Sequence, residues 1–297
     1  MSSTVHRSIP RRLAAPLLAL LLAACATPSE PPPSNRKEVI HVVTAAGELQ
    51  RFNAGRPQQP LAKLPLRGLP PGERLFGIDF RVSRGVLFAL SSVGRLYTID
   101  TRSGQLTPIG TTSIALPLEG ERFGFDFNPV ADRIRVVSDK GQSLRLHPET
   151  GAAIDGDAAV DGPQPDPVLH FAPGDAHVGR LPQVVAAAYT YNKRDDKLTT
   201  NYALDAGIGA LLIQGSREGA VPVVSPNTGR LTTVGSLGVG ALQDAAFDIA
   251  DIDNSALAAL RIGERTRLYA IDLASGRATL LGTLGDGQPV WGMAIEP

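Results

Sequence analysis

The chain has 297 residues, of which 29 are basic and 29 acidic, so with neutral histidines it carries no net formal charge. A hydrophobic fraction of 43% is ordinary for a packed globular core, and the length allows one large or two small domains. No dense basic stretch is present, which excludes nucleic acid as an expected partner.

The first residues read as a targeting segment. Residues 1–24 hold Arg7, Arg11 and Arg12 and no acid, and Leu13 to Ala24 is an apolar run. A positive n-region followed by such a run is a signal peptide, too short for the roughly 20 apolar residues of a spanning helix. Without its three arginines the chain has 26 basic against 29 acidic residues. The run ends Leu22-Ala23-Ala24-Cys25, and Cys25 is the only cysteine. This is similar to the lipobox of bacterial lipoproteins. The resemblance implies cleavage before Cys25, lipidation there, and a periplasm-facing outer-membrane location, since Ala26 and not Asp follows. An ordinary signal peptide with a chance cysteine is the alternative. Arg11-Arg12 also resembles a twin-arginine signal, but its flanks fit poorly. Residues 25–38 include four prolines and no hydrophobic period, and read as a Pro-rich tether. Residues 39–297 are expected to form a single domain.

That domain shows short apolar runs bounded by Gly, Pro, Asp, Asn and Ser, the all-β pattern. Three strands open it: Val39 to Val43, Glu48 to Phe52 and Leu61 to Leu64. A four-strand unit follows: Leu75 to Phe80, Gly85 to Ser91, Arg95 to Asp100 and Gln105 to Gly110. The second unit reads Phe123 to Phe127, Arg133 to Ser138, Gln142 to His147 and a short edge near Ala152. The third reads Val184 to Tyr191, Lys197 to Leu204, Ala210 to Gly215 and Arg230 to Gly235. The fourth reads Ala245 to Ile249, Ala256 to Ile262, Arg267 to Asp272 and Arg277 to Gly282. A lone strand, Pro289 to Ile295, ends the chain.

Two observations make these units copies of one another. Leu96 to Gly110, LYTIDTRSGQLTPIG, is nearly repeated at Leu268 to Gly282, LYAIDLASGRATLLG. The opening strands share a frame as well: Phe76-Gly77-Ile78-Asp79-Phe80, Phe123-Gly124-Phe125-Asp126-Phe127 and Ala245-Ala246-Phe247-Asp248-Ile249. Ala188 and Ala294 take the Asp position in the other two copies. Asp79 to Asp126 spans 47 residues and Asp248 to Ala294 spans 46; the middle spacings are 62 and 60. A period in the forties with four strands per unit indicates a β-propeller. Three strands at the start and one at the end complete a shared blade, which gives five blades. Six is the alternative, should the insertions at 155–182 and 216–227 hide another sheet.

Ser103-Gly104, Thr150-Gly151, Thr228-Gly229 and Ser275-Gly276 sit between outer strands, where tight hairpins call for positive φ. Asp100 and Asp272 precede two of these turns and read as turn caps.

The run Phe123 to Gly151, FGFDFNPVADRIRVVSDKGQSLRLHPETG, resembles the most recognisable segment of a bacterial family known only as domain of unknown function number 4394. Leu96 to Gly110, LYTIDTRSGQLTPIG, and Asn227 to Gly238, NTGRLTTVGSLG, fit that family too. The resemblance covers about Val39 to Pro297. It implies an exported propeller-like domain and brings no activity, substrate or catalytic residue.

Candidate chemistry rests on acids. Asp79, Asp126 and Asp248 recur on strands that line a propeller's channel, and three converging carboxylates suit a Ca²⁺ ion. The competing reading is that each satisfies backbone donors at a blade junction. Asp155, Asp157 and Asp161 on a Gly-rich loop form a loose Ca²⁺-loop pattern without an EF-hand's remaining ligands. Otherwise that segment is a solvated loop. His41, His147, His170 and His177 lack metal-pair spacing. There is no Gly-x-Ser-x-Gly elbow, phosphate-binding loop or dinucleotide fingerprint, and the glycines from Gly235 to Gly240 read as a turn. Phe123, Phe125 and Phe127 form a stripe expected between blades, with Tyr189, Tyr191 and Tyr202 as a smaller aromatic group. The expected function is a lipid-anchored binding or scaffold propeller without a cofactor, meeting an envelope protein or glycan through loops such as 155–182. The alternative is a Ca²⁺-dependent lyase or hydrolase acting on a sugar or lactone at the channel.

Overall fold

Each repeat folds into its own small antiparallel sheet, and the sheets stand in a ring. The computed structural model describes residues 1–4 and 30–297. Cys25, the apolar run before it and the first part of the expected tether lie outside the described residues.

In chain order the strands are β1 (Val39–Thr44), β2 (Glu48–Asn53), β3 (Pro60–Pro65), β4 (Leu75–Arg81), β5 (Val86–Ser91), β6 (Leu96–Ile99) and β7 (Leu106–Pro108). They continue as β8 (Phe123–Asn128), β9 (Arg133–Ser138), β10 (Ser143–Leu146), β11 (His170–Phe171), β12 (Val184–Tyr189), β13 (Asn201–Asp205), β14 (Ala210–Gln214) and β15 (Arg230–Ser236). The last five are β16 (Leu242–Ile249), β17 (Ala256–Ile262), β18 (Arg265–Ile271), β19 (Ala278–Thr283) and β20 (Val290–Ile295). Blade 1 is ordered β20-β1-β2-β3, blade 2 β4 to β7, blade 3 β10-β9-β8, blade 4 β11-β15-β14-β13-β12 and blade 5 β16 to β19. The fold is a five-bladed β-propeller. No helix among the described residues is long and apolar enough to cross a membrane.

The two ends of the domain share blade 1. Ile40 pairs with Ile295 and Val42 with Met293, antiparallel, so the final strand is the innermost strand of the first blade. This pairing removes the free edge that a linear array of sheets would expose.

Packing explains the ring. Strand residues alternate between the two faces of their sheet, and each blade buries both faces against its neighbours. Five apolar clusters result, one at each junction. Phe88 and Leu90 of blade 2 meet Phe123, Phe125 and Phe127 of blade 3, which places the phenylalanine stripe in the core between them. Phe76 stacks on Phe123 with ring centroids 4.6 Å apart, and Phe88 meets Phe127 edge-on at 5.0 Å. The fifth cluster joins Ile40, Val42 and Phe52 to Leu257, Ala259 and Leu268, closing the circle between blades 1 and 5.

The hairpin chemistry is as expected. Gly104 and Gly276 have φ of 73° and 81°. The carboxylate of Asp100 accepts the N–H groups of Arg102 and Ser103, and that of Asp272 those of Ala274 and Ser275.

Several details differ from the sequence reading. The outer edge of blade 3 is no strand: only Leu146 and Ala153 pair there. The expected strand from Lys197 begins at Asn201 instead. Asn192 and Asp195 carboxamide and carboxylate oxygens cap successive turn N–H groups before it, holding the chain in a loop. The 155–182 insertion builds no sixth sheet. It adds two-residue β11 to blade 4, parallel to β15, with His170 opposite Arg230.

Residues 30–38 form a strap along the rim. Ser34 N donates to Gly55 O and Asn53 Nδ2 to Arg36 O on blade 1. The Glu30 carboxylate accepts from Gln58 Nε2 of the β2–β3 connection and from Thr283 N and Oγ1 of blade 5.

Candidate functional site

The inner strands β4, β8, β12, β16 and β20 carry a small residue two places before the Asp position: Gly77, Gly124, Ala186, Ala246 and Gly292. The spacing between strands demands it. A Cβ on Gly77 would stand 2.5 Å from Phe125 Cβ, one on Gly124 2.6 Å from Ala187 N, and one on Gly292 2.8 Å from Ile78 N. Strands packed this tightly leave almost no bore. The cavity among Phe76, Phe123, Ala245 and Trp291 is about 20 Å³, room for about one water.

At the far end of the same strands stand Asp79, Asp126 and Asp248. One oxygen from each lies within 4.8 Å of the others, and the residues are 4%, 3% and 6% exposed. Their hydrogen bonds form a circuit. Asp79 accepts Phe127 N of the next blade and its own neighbour Phe80 N, both at 2.7 Å. Asp126 accepts Tyr189 N of the next blade at 3.0 Å. Asp248 accepts Ile295 N of the next blade at 2.5 Å and its own neighbour Ile249 N at 2.6 Å.

The five donors are the residues that follow the Asp position in all five blades. Three carboxylates therefore satisfy one N–H from every inner strand. The alanines fall into place as well. Blade 4, with Ala188, cannot serve Ile249 in blade 5, and blade 1, with Ala294, cannot serve Phe80 in blade 2. In both cases the downstream Asp turns its second oxygen onto its own neighbour. Of the six oxygens of these three acids, only Asp126 Oδ2 takes no donor among the described residues.

Burial is the main reason that all three acids titrate high. Desolvation raises Asp79 and Asp126 well above the usual carboxylate range, and charge from the other acids adds to it. Asp248 is pushed up to about 7 by burial, against the two N–H bonds that favour its ionised form. Tyr191 stands nearby, half-buried. Its phenol is pushed up first by burial and then by the charges of Asp79, Asp126 and Asp248.

The other sequence candidates lie elsewhere. Asp155, Asp157 and Asp161 are exposed. Asp155 Oδ1 accepts the N–H groups of Asp157 and Gln164, and Asp157 Oδ1 that of Ala159, as in capped turns. They do not converge as a ligand group; the axial trio does. His147 Nδ1 accepts Glu149 N, His170 Nδ1 lies 3.0 Å from Val168 O, and His177 leans on Phe171. His41 is buried edge-on to Phe80, 3.5 Å from Glu296, and burial holds its pKa below the usual imidazole value.

Two features have no counterpart in the sequence reading. A groove of about 680 Å³ runs between the strap, the 250–255 loop and the chain's last residues, with Arg36, Arg51, Asp251 and Ile252 on its walls. The second is a cluster around Arg135, which is 2% exposed in the middle of β9. A charged residue among five consecutive buried positions is the local signal, but burial is visible only in the fold.

The model of the family described as Domain of unknown function (DUF4394) matches residues 48–294. The chain belongs to this family. No curated protein matches the sequence. The DUF4394 chain is similar in fold to a nidogen/laminin complex structure, with a TM-score of 0.45 and 11% identity over 88% of this chain and 98% of that one. It is also similar to a glutaminyl cyclase from Myxococcus xanthus, with a TM-score of 0.45 and 13% identity over 77% and 84%. A third similar structure is the dihydro-heme d1 dehydrogenase NirN, with a TM-score of 0.37 and 16% identity over 85% and 46%. These likenesses concern the fold alone, and they include both binding proteins and enzymes.

Proposed function

We propose that this DUF4394 chain is a non-catalytic binding or scaffold propeller of the cell envelope, held at the outer membrane by lipid on Cys25. The observation that carries the reading is the state of the axis. Its carboxylates each hold backbone N–H groups of neighbouring blades, and the bore beside them is closed, so the acids act as a latch for the ring. An open groove of about 680 Å³, with both charge signs and the exposed Ile252, remains for an envelope protein or glycan. The Leu22-Ala23-Ala24-Cys25 run supports the anchor.

The alternative, a Ca²⁺-dependent enzyme at the channel, is favoured by one observation, the 4.8 Å convergence of the three carboxylates. Melting the purified protein with Ca²⁺ and with chelator separates the two. A latch leaves the midpoint unchanged. A metal site saturated a hundredfold above its dissociation constant would add about 2.7 kcal/mol and raise the midpoint, which would overturn the proposal. Labelling with radioactive palmitate tests the anchor: the wild type incorporates it and Cys25→Ser does not.

A further inference from the structure

Arg135 is a buried guanidinium at the junction of blades 3 and 4, and its surroundings are unevenly charged. Its Nη1 donates to Asp166 Oδ2 at 2.5 Å and to Ser143 Oγ at 3.0 Å. Its Nε meets Tyr189 Oη at 3.3 Å, and its Nη2 meets Asn227 Oδ1 at 2.5 Å. Asp166 is shared: Arg145 also donates to both its oxygens, from Nε at 3.0 Å and from Nη2. Arg133 stands beside them and spends only Nη1, on the backbone oxygens of Ala131 and Asp132. The neighbouring acid, Asp132, is forked to Arg81 of blade 2. Three guanidiniums thus face one carboxylate, an excess of two positive charges around a half-enclosed space.

That space is a cavity of about 150 Å³ lined by Arg133, Arg135, Arg145, Tyr189, Asn128 and Asn227, among others. Its walls are rich in donors without protein acceptors among the described residues: Arg133 Nε and Nη2, Arg145 Nη1, the Asn227 amide, and the proton of a Tyr189 hydroxyl whose oxygen already accepts from Arg135. Surplus positive charge in a partly dehydrated place is costly unless an anion balances it. Guanidinium forks match the paired oxygens of carboxylate, sulfate and phosphate. The volume is enough for an oxyanion group.

We propose that the cavity between blades 3 and 4 is a binding site for a small oxyanion group, either a free phosphate or sulfate or the acidic substituent of a larger ligand. The inference goes beyond the groove and the axial latch and does not depend on either. The test is a melting titration of the purified full chain with inorganic phosphate, sulfate and glucuronate. Chloride at matched ionic strength controls for general salt effects. The expected result is a saturable rise with at least one of the three anions. Arg133→Gln removes one of the surplus charges, so it should raise the half-saturation concentration about tenfold or more without lowering the anion-free midpoint. Asn227→Asp places a carboxylate against Arg135 Nη2. It should raise the anion-free midpoint and abolish the response, a gain that misfolding cannot mimic. Which anion acts identifies the source: glucuronate alone indicates a glycan acid, and phosphate or sulfate a tetrahedral group. A rise no larger than that of chloride, or one equal in the wild type, Arg133→Gln and Asn227→Asp, overturns the proposal. Neither result bears on the Ca²⁺ titration or on use of the groove.

Discussion

The axial circuit makes a quantitative prediction about which of its acids matters most. Asp248→Ala orphans two buried N–H groups, those of Ile249 and Ile295. Neither has a substitute, because the upstream position for Ile249 is Ala188 and the local position for Ile295 is Ala294. Asp126→Ala orphans one, that of Tyr189. Leaving a buried donor unpaired costs about 1–3 kcal/mol, so the first variant loses about 2–6 kcal/mol and the second about 1–3. Both variants also shed a buried acid, and because Asp126 is the one raised by the charges of the other two as well as by burial, this offset does not narrow the difference. The methyl itself adds no strain, since alanine already occupies the position in two blades. The difference between the variants is therefore about 1–3 kcal/mol, several degrees in melting temperature at roughly 2–4 °C per kcal/mol for a domain near this size. Calorimetry or urea unfolding at pH 7 measures it. Equal losses, or a larger loss for Asp126→Ala, would refute the latch and the pairing pattern on which it rests.

The same acids set a pH dependence. Asp248 near 7, Asp244 near 6 through its own burial, and Asp79 and Asp126, raised well above the usual carboxylate range by burial, all bind protons more tightly folded than unfolded, where carboxyls titrate at about 4. Their contribution is fully present below about pH 4 and is lost as the pH climbs through 7. His41 opposes this: held neutral by burial, it costs stability as the pH falls through about 6.5. With four acids against one histidine, the melting temperature should fall between pH 5 and pH 8, and a flat or rising curve would contradict it. For the tight inner strands, Gly124→Ala forces a Cβ to within 2.6 Å of Ala187 N and 2.7 Å of Ala186 C, both backbone. It should cost about 1–3 kcal/mol by urea unfolding, whereas Gly85→Ala, at φ 61° in open space, should cost less.

Most of the ring was legible because its signals are local and repeated. The Phe-Gly-x-Asp-Phe frame, full in β4 and β8 and looser in β12, β16 and β20, marks the inner strands. The Ser-Gly and Thr-Gly turns mark the outer hairpins, and counting strands at the two ends revealed the shared blade. The axial acids were visible too, though their partners were not. That Asp79 serves Phe127 while Asp248 serves Ile295 depends on residues 48 and 47 apart in the chain lying side by side. The features that escaped have no local mark. A two-residue parallel pairing such as β11 with β15 leaves no period to read. The burial of Arg135 depends on Asp166, Tyr189 and Asn227, which come from three separate segments. The strap from Glu30 looks like any Pro-rich linker until Thr283, far along the chain, supplies its acceptor's donors.

Blade 1 imposes an order on the making of this molecule. Val39–Thr44 is made long before the strand that must lie beside it, Val290–Ile295. Until then the early hairpin carries an unpaired margin and the apolar side chains of Ile40 and Val42 have no ceiling. Removal of Val290–Ile295 would leave blade 1 with three strands and β1 with an open margin, so even a small deletion should act on the whole ring.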